Sequence, residues 1–276
     1  MIKNDYRLDF LKICGGTDKS GQPENIDIVL TPGEIVCIVG KTGAGKSRLL
    51  ADIECLAQGD TPTGRKISVG GKNAKGGGRR LVAQISQNMN FVADLCVKDF
   101  IAMHAQSRLI ASIKETVKTV INQANRLAGE KFHAGTPLGQ LSGGQSRALM
   151  IADAAMLSFS PAVLIDEIEN AGIDRKKALE LLVKKEKITL ISTHDPLLAL
   201  MGNRRIVMKN GGIARVIESS PEEKENLKRL GINDNKMANL KDRLRRGEEI
   251  KYPLSFLPSR QANRKTPRRQ NRDYWQ

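Results

Sequence analysis

Gly40-Lys41-Thr42-Gly43-Ala44-Gly45-Lys46-Ser47 decides the fold of this chain, because it matches the pattern GxxxxGK[ST] at every fixed position. Residues 34–39 before it form an apolar, β-branched run typical of a buried strand, and residues 48–56 after it carry apolar side chains at helical spacing. Glycines between a strand and a helix N-terminus let successive backbone N–H groups face a bound polyphosphate. The stretch therefore predicts a phosphate-binding loop.

Two side chains of this loop carry the predicted chemistry. Lys46 is expected to reach the β- and γ-phosphates of a nucleoside triphosphate as a point charge, and the Ser47 hydroxyl is expected to ligate Mg²⁺. The competing interpretation is a glycine-rich turn between strand and helix that binds no ligand. Motifs further along the chain favour the first interpretation.

Composition sets the broad class of the protein. The chain has 276 residues, of which 40% are hydrophobic and 27% charged, as in ordinary globular proteins. No apolar run approaches the roughly 18 residues of a membrane-spanning helix, and residues 1–9 lack the apolar centre of a signal peptide, so we expect a cytoplasmic protein. Its four cysteines are far apart and form no CxxC pair, so neither a zinc site nor a disulfide framework is predicted.

The chain is strongly basic, with a net charge of +15 and a pI near 9.8. This charge favours an anionic partner such as nucleic acid or the inner membrane surface. The cations are unevenly distributed, because residues 219–276 contain 15 Lys and Arg against 8 Asp and Glu. The sequence thus places about half of the charge surplus at one end of the chain.

The order of predicted elements indicates an α/β fold. Apolar runs at residues 162–165, 188–191 and 205–208 alternate with helical patterns, which is typical of a parallel sheet covered by helices. Residues 5–30 predict two half-buried strands joined by a turn, and residues 97–129 carry an apolar stripe at helical spacing. We therefore expect a parallel-sheet core with N-terminal antiparallel strands and an inserted helical subdomain.

The composition changes after Val216. Residues 221–246 carry apolar side chains at helical spacing, which predicts one or two amphipathic helices broken near Gly231. Beyond Pro253 the chain is rich in Arg, Lys, Asn, Gln and Pro, and we expect that tail to be disordered. The predicted domains are a main domain at residues 1–218, a helical extension at 219–250 and a basic tail at 251–276.

Four further motifs follow in an order that a random chain would rarely reproduce. They are Gln87 after a predicted strand, Leu141-Ser142-Gly143-Gly144-Gln145 before an apolar helix, Ala162-Val163-Leu164-Ile165-Asp166-Glu167, and Ser192-Thr193-His194-Asp195. The N–H groups of the second motif lie at a helix N-terminus, which suits a γ-phosphate. The third motif is an apolar strand ending in two carboxylates, with Asp166 near a metal ion and Glu167 where it could polarise a water.

Together with the phosphate loop, these motifs make the chain resemble the nucleotide-binding subunit of an ATP-binding cassette (ABC) protein. The resemblance covers residues 1–217 and implies a P-loop NTPase of the ABC ATPase type, with a helical subdomain at about residues 89–145. In that family two subunits face each other head to tail, and each ATP lies between one phosphate loop and the other subunit's LSGGQ signature. The resemblance therefore implies a twofold dimer with two composite sites.

The resemblance also implies roles for individual residues. Glu167 resembles the general base or water-positioning carboxylate, His194 resembles the switch residue that contacts the γ-phosphate, and Lys46 completes the implied catalytic set. Asp174 resembles the aspartate of the loop that crosses the dimer interface. The implied nucleotide-binding residues are Gly40, Lys41, Thr42, Gly43, Ala44, Gly45, Lys46 and Ser47; those for the partner's nucleotide are Ser142, Gly143, Gly144 and Gln145; the magnesium ligands are Ser47, Gln87 and Asp166.

The sequence departs from the family pattern at several places, among them Arg48 in place of the usual threonine and Asp153 where the family often has an arginine. Where the family usually has an aromatic residue that stacks on adenine, this chain has Cys14-Gly15-Gly16-Thr17, and Tyr6 or Phe10 could substitute only in a different strand register. Base stacking and the choice of ATP over GTP therefore stay open. The segment at residues 168–174 lacks the usual proline and is one residue longer than the common pattern.

These observations predict an ATPase that uses ATP and Mg²⁺. The favoured role is the energising subunit of an ABC transporter, with a second, identical subunit and separate membrane-spanning subunits as partners, in the cytoplasm or at the inner face of the membrane. An alternative is a soluble ABC ATPase that acts on nucleic acid or on a protein through its basic tail, where Tyr274 and Trp275 could stack on bases. A third is a regulatory module that binds nucleotide without useful turnover.

Overall fold

The computed structural model describes residues 8–71, 81–86, 94–168 and 172–251. The chain divides into two compact units, one through Lys224 and one from Glu225. The first unit contains the phosphate loop and the sheets. Among the described residues, no helix is both long enough and apolar enough to span a bilayer.

The larger sheet of the first unit carries the phosphate-loop strand among parallel neighbours. Its strands lie in the order β5 (Val82–Ile85), β6 (Ala162–Asp166), β7 (Ile188–Ser192), β3 (Ile35–Val39), β8 (Arg204–Lys209) and β9 (Gly212–Glu218). Neighbours from β5 to β8 pair in parallel, whereas β9 returns antiparallel to β8. The predicted parallel core is confirmed, and the β8–β9 hairpin is an addition that the sequence pattern did not reveal.

The smaller sheet is antiparallel and contains the N-terminal strands. Its order is β2 (Ile28–Leu30), β1 (Phe10–Cys14) and β4 (Lys66–Gly70). Phe10 pairs with Gly70, and a Cβ on that glycine would lie only 2.2 Å from the Phe10 ring. Phe10 therefore packs over Gly70, the last residue of β4. Tyr6, the other aromatic candidate, lies outside the described residues.

The central strands of the larger sheet, β3, β6 and β7, are buried on both faces because each face packs against a different layer. On β6, Ala162 and Leu164 join the core shared with the smaller sheet and α1 (Lys46–Glu54). The alternate residues Val163 and Ile165 join a second core with α4 (Gly143–Met156), α5 (Arg175–Lys184) and α6 (Pro196–Met201). Since successive strand side chains point to opposite faces, α1 and α4 cover opposite faces of the sheet.

The segment predicted to be helical contains two helices, α2 (Val97–Ser107) and α3 (Ile113–Leu127). Their apolar faces form a third core with α4, in which Val120, Ile121 and Ala124 of α3 are buried. The helical pattern is interrupted between them, where Leu109 adopts a left-handed φ of 54°. That conformation ends the α2 hydrogen-bonding ladder and turns the chain into α3.

The C-terminal helix α7 (Pro221–Arg245) is continuous. The expected break near Gly231 is wrong, because glycine inside a helix costs only about 1 kcal/mol and does not by itself end the helix. None of the α7 side chains is buried. The predicted basic tail lies outside the described residues from 252 onward.

Candidate functional site

The phosphate loop connects β3 to α1 and wraps around its own lysine. The Lys46 ammonium donates to the carbonyls of Gly40 at 3.0 Å and Lys41 at 3.3 Å, and the residue is only 7% exposed. Gly43 and Gly45 have φ values of 78° and 102°, which L side chains rarely adopt. Close packing also requires glycine at position 45, since a Cβ there would lie 2.8 Å from the Gly211 Cα.

The start of α1 has the chemistry of an anion site. Gly45 is the residue before the helix, and it provides no side-chain cap. The first N–H groups of a helix need partners from outside the helix, and the helix dipole favours negative charge there. A polyphosphate satisfies both requirements, so the geometry fits the ligand predicted from the motif.

The turn between β8 and β9 supports the phosphate loop from behind. The Gly211 N–H donates to the Ala44 carbonyl at 2.9 Å, and the Arg65 guanidinium donates to the Gly211 carbonyl at 2.9 Å. These contacts join segments more than 100 residues apart in sequence, and no sequence motif indicates them. This support therefore could not be predicted from the sequence.

Arg65 is fully buried in a charged cluster behind the loop. It donates two hydrogen bonds to the Glu24 carboxylate, at 2.9 and 2.5 Å, and one to Asp52 of α1 at 2.9 Å. Glu24 also accepts from the N–H groups of Gly16 and Ile213. Burial acts to raise the pKa of Glu24, but the Arg65 and backbone hydrogen bonds outweigh it and hold that pKa below 4.5.

The predicted catalytic carboxylate and switch histidine lie side by side at the carboxyl edge of the sheet. Glu167 follows β6 and His194 follows β7, and Asp166 pairs in register with Ser192. His194 Nε2 lies 3.9 Å from Glu167 Oε1, with the two side chains 42% and 32% exposed. Glu167 has a left-handed φ of 51°, a strained conformation for a non-glycine residue. The structure thus brings together two residues that the sequence assigned to one reaction.

The phosphate loop opens beside this pair. β7 lies between β3 and β6, and the Thr193 N–H donates to the Ile38 carbonyl at 3.1 Å. A cleft of about 420 Å³ is lined by Gly40, the first residue of the phosphate loop, and by Thr193 and His194, which follow β7. A ligand bound at the loop would therefore have His194 at its flank.

The predicted interface loop is anchored by charged side chains. Asp174 caps α5 by accepting from the Lys177 N–H at 3.1 Å, and the Lys177 ammonium lies 2.9 Å from its carboxylate. Partial burial acts to raise the pKa of Asp174, but the Lys177 contacts outweigh it and lower that pKa. The next residue, Arg175, donates to the Asp195 carboxylate, which in turn caps α6 directly after His194. A direct ion pair therefore joins the Asp174 segment to the His194 segment.

The LSGGQ segment lies elsewhere, at the start of α4. Ser142 and Gln145 form a capping box, with the Ser142 hydroxyl accepting from the Gln145 N–H at 3.3 Å and the Gln145 side chain accepting from the Ser142 N–H at 2.9 Å. Gly143 and Gly144 form the first turn of the same helix. Because α1 and α4 cover opposite faces of the sheet, Lys46 and Ser142 begin helices on opposite sides of one molecule.

The predicted magnesium ligands are hydroxyl, amide and carboxylate oxygens, the hard ligands that Mg²⁺ prefers. Ser47 opens α1 and Asp166 ends β6, whereas Gln87 lies outside the described residues. In the part of the chain that the structure describes, no group of three or more His, Cys, Asp or Glu side chains could hold a metal ion. The donor set fits Mg²⁺ that is shared with nucleotide phosphates rather than a metal held by protein alone.

Two comparisons decide the family. The family model described as ABC transporter matches residues 23–170. An uncharacterised ABC transporter ATP-binding protein of Methanocaldococcus jannaschii is 50% identical over 248 residues, which cover 88% of this chain and 95% of that protein.

The chain belongs to the ABC transporter family.

Further relatives agree with this assignment. The macrolide export ATP-binding/permease protein MacB of Chromobacterium violaceum is 30% identical over 72% of this chain, a match that spans 32% of that longer protein. An ATP-binding cassette solved as a dimer in a post-hydrolysis state with ADP and Pi superposes with a TM-score of 0.56 at 26% identity, covering 76% of this chain and 99% of the other. This ABC protein is thus a nucleotide-binding ATPase cassette, of a kind that dimerises and works with membrane subunits in transporters.

Proposed function

We propose that this ABC cassette binds Mg-ATP between two identical copies and that its hydrolysis cycle energises a transporter through separate membrane-spanning subunits. One observation carries the proposal: Lys46 and Ser142 open helices on opposite faces of one sheet. A triphosphate held by both must therefore lie between two molecules. A twofold axis then generates two equivalent sites.

In this site the phosphate loop binds the triphosphate. Lys46 exchanges its bonds to the Gly40 and Lys41 carbonyls for phosphate oxygens, which are stronger acceptors because they are charged. Ser47 and Asp166, together with Gln87, would hold Mg²⁺, and the ion would supply positive charge that offsets the charge of the phosphates. The loop N–H groups fix the phosphates in place.

Glu167 and His194 act at the terminal phosphate. Glu167 accepts a proton from the attacking water, and it stands directly after β6, at the carboxyl edge of the sheet. His194 donates a hydrogen bond to the γ-phosphate, and its 3.9 Å approach to Glu167 keeps both side chains near the same water. The partner's signature helix supplies N–H groups from the opposite side.

The interface loop couples the two sites. Asp174 faces the partner copy, while Arg175 bonds Asp195 next to His194. A change in one composite site thus has a direct route to the terminal-phosphate contact within the same chain. We assign Arg175 as a positioning residue rather than a catalytic one.

The transport role is supported by the names of the relatives, which are transporter proteins. The nucleic-acid alternative depends on the basic tail at residues 252–276, which lies outside the described residues. The test is recovery of the tagged chain from membranes of its native host. We expect the tagged chain to be recovered in a complex with a multi-span membrane protein, and we expect that protein to raise the ATPase rate of the chain after reconstitution in lipid. Adding single-stranded DNA or RNA is expected to leave the ATPase rate unchanged. Stimulation by nucleic acid alone would favour the alternative.

A further inference from the structure

A lysine outside the GxxxxGK[ST] motif lies against the phosphate loop. The Lys19 ammonium donates to the Gly43 carbonyl at 2.9 Å, and the Lys19 side chain is otherwise exposed to solvent. Lys19 belongs to the loop between β1 and β2, which is remote from residues 40–47 in sequence. The fold therefore brings a second cation to the loop that carries Lys46.

The backbone of Lys19 is held in place by several contacts. Its N–H donates to the Asn210 carbonyl at 2.9 Å, in the same turn that supports Ala44 through Gly211. Asp18 accepts from the N–H groups of Ser20 and Gln22 at 2.8 and 2.9 Å, and the Asn210 amide donates to Asp18 at 3.0 Å. These bonds form a tight turn, so the position of the Lys19 backbone is defined and only its flexible stem can move.

The base of this loop is fixed by the buried charged cluster. Glu24, at the other end of the loop, accepts from Arg65 and from the Gly16 N–H at 2.9 Å. Arg65 also binds the Gly211 carbonyl, so the loop, the β8–β9 turn and the phosphate loop share one support. The cation is thus presented on a scaffold that is rigid relative to the phosphate site.

We propose that Lys19 is a second phosphate-binding cation, whose ammonium moves from the Gly43 carbonyl to a phosphate oxygen when a nucleoside triphosphate enters the loop. A charged oxygen is a stronger acceptor than a peptide carbonyl, and the four-carbon stem allows the movement. The inference rests on the proposed nucleotide site. Since the contact is to phosphate, it adds affinity without regard to the base.

The test measures the binding of Mg-ATP, Mg-GTP and inorganic triphosphate to the full chain by calorimetry. Lys19→Met is expected to weaken all three by the same factor, about tenfold for one charge-assisted hydrogen bond, and to reduce the salt dependence of binding. Lys19→Arg, which keeps the charge, is expected to retain most of the affinity. Lys114→Met removes an exposed lysine on α3 and should change nothing.

Three results would overturn the inference. Unchanged affinities in Lys19→Met would show that the ammonium does not touch the ligand. A loss for ATP with none for inorganic triphosphate would place Lys19 at the base or ribose. Equal losses in Lys19→Met and Lys19→Arg, with a lower melting temperature in both, would make Lys19 a support of the loop only. Lys46→Ala distinguishes failure of the Lys19 inference from failure of the proposed nucleotide site. If Lys46→Ala also leaves ATP binding unchanged, the proposed nucleotide site itself is wrong.

Discussion

His194 Nε2 lies 3.9 Å from Glu167 Oε1, across the ends of two adjacent parallel strands. The distance is too long for a direct hydrogen bond between the two side chains. Their shared edge follows from strand order, since β6 and β7 are neighbours beside the strand of the phosphate loop.

Glu167→Gln removes the proton acceptor while keeping the size and hydrogen-bonding shape of the side chain. We expect steady-state ATP turnover to fall by roughly 100-fold or more, since a positioned general base contributes about 10²–10⁴-fold. ATP binding should persist, and the nucleotide-bound dimer should accumulate on gel filtration. Glu115→Gln, an exposed change on α3, is the matched control. Unchanged turnover in Glu167→Gln would mean that another group accepts the proton.

Arg175→Met breaks the ion pair with Asp195 without touching the proposed catalytic groups. We expect kcat to fall several-fold, roughly 3- to 10-fold if the pair contributes about 1 kcal/mol to the active arrangement, with little change in KM. Arg175→Lys keeps the positive charge but not the planar guanidinium, and its kcat should fall less than that of Arg175→Met. A rise in KM at constant kcat would instead place Arg175 in ground-state nucleotide binding.

Arg65→Met leaves two carboxylates, Glu24 and Asp52, buried without their cation. We expect a loss of about 3–5 kcal/mol in the free energy of unfolding, measured with urea, because an unpaired buried charge is costly. Adding Glu24→Gln and Asp52→Asn to the same protein should restore part of that loss. A triple variant less stable than Arg65→Met would contradict this explanation.

The same cluster predicts an acid sensitivity. Since the pKa of Glu24 is lowered in the folded chain, its contribution to stability is complete above the unfolded value of 4.5 and is lost as pH falls through the lower folded value. Urea unfolding of wild type and Glu24→Gln between pH 3 and 6 measures this. The variant is expected to lose less stability on acidification, and parallel curves would refute the assignment.

Lys187 predicts a second rise of stability with pH, in the alkaline range. Burial, with the nearby charges of Arg108 and Lys185, lowers its pKa from 10.5 to about 8, although its ammonium donates to the carbonyls of Ser158 and Ser160 at 2.7 Å. Between those values the unfolded chain binds more protons, so the free energy of unfolding should rise with pH, by up to about 3 kcal/mol from this group. Lys187→Met should lack that rise. Identical pH profiles of the free energy of unfolding for wild type and Lys187→Met would contradict the prediction.

Local patterns in the sequence predicted much of the fold. Gly45 and Lys46 are fixed by the loop motif, and the period-two burial of Val163 and Leu164 follows from a strand covered on both faces. The hydrogen bonds of Lys19, Arg65 and Gly211 depend on long-range packing, which no local pattern records.

Some expectations failed or changed for the same reason. The helix through Gly231 is continuous, because the helix-propensity penalty of glycine, about 1 kcal/mol, is too small to end the helix. Ser142 was interpreted through phosphate chemistry, and in the single chain it also closes a capping box on α4. The two roles are compatible, because a cap and an anion site both use helix N–H groups.

The central claim is that ATP lies between Lys46 of one copy and Ser142 of another. Two variants are made in the Glu167→Gln background: Lys46→Ala, and Ser142→Asp, which keeps a helix cap but repels phosphate. Ser142→Asn, a neutral cap, is the control. Each variant alone has two damaged sites, whereas a mixed dimer has one intact site and one doubly damaged site.

The decisive measurement is the ATP retained per dimer after gel filtration of the mixture. A site shared between copies predicts almost no nucleotide with either variant alone and one ATP per mixed dimer. If the mixture retains no more nucleotide than the separate variants, the site does not lie between two copies and the account is wrong.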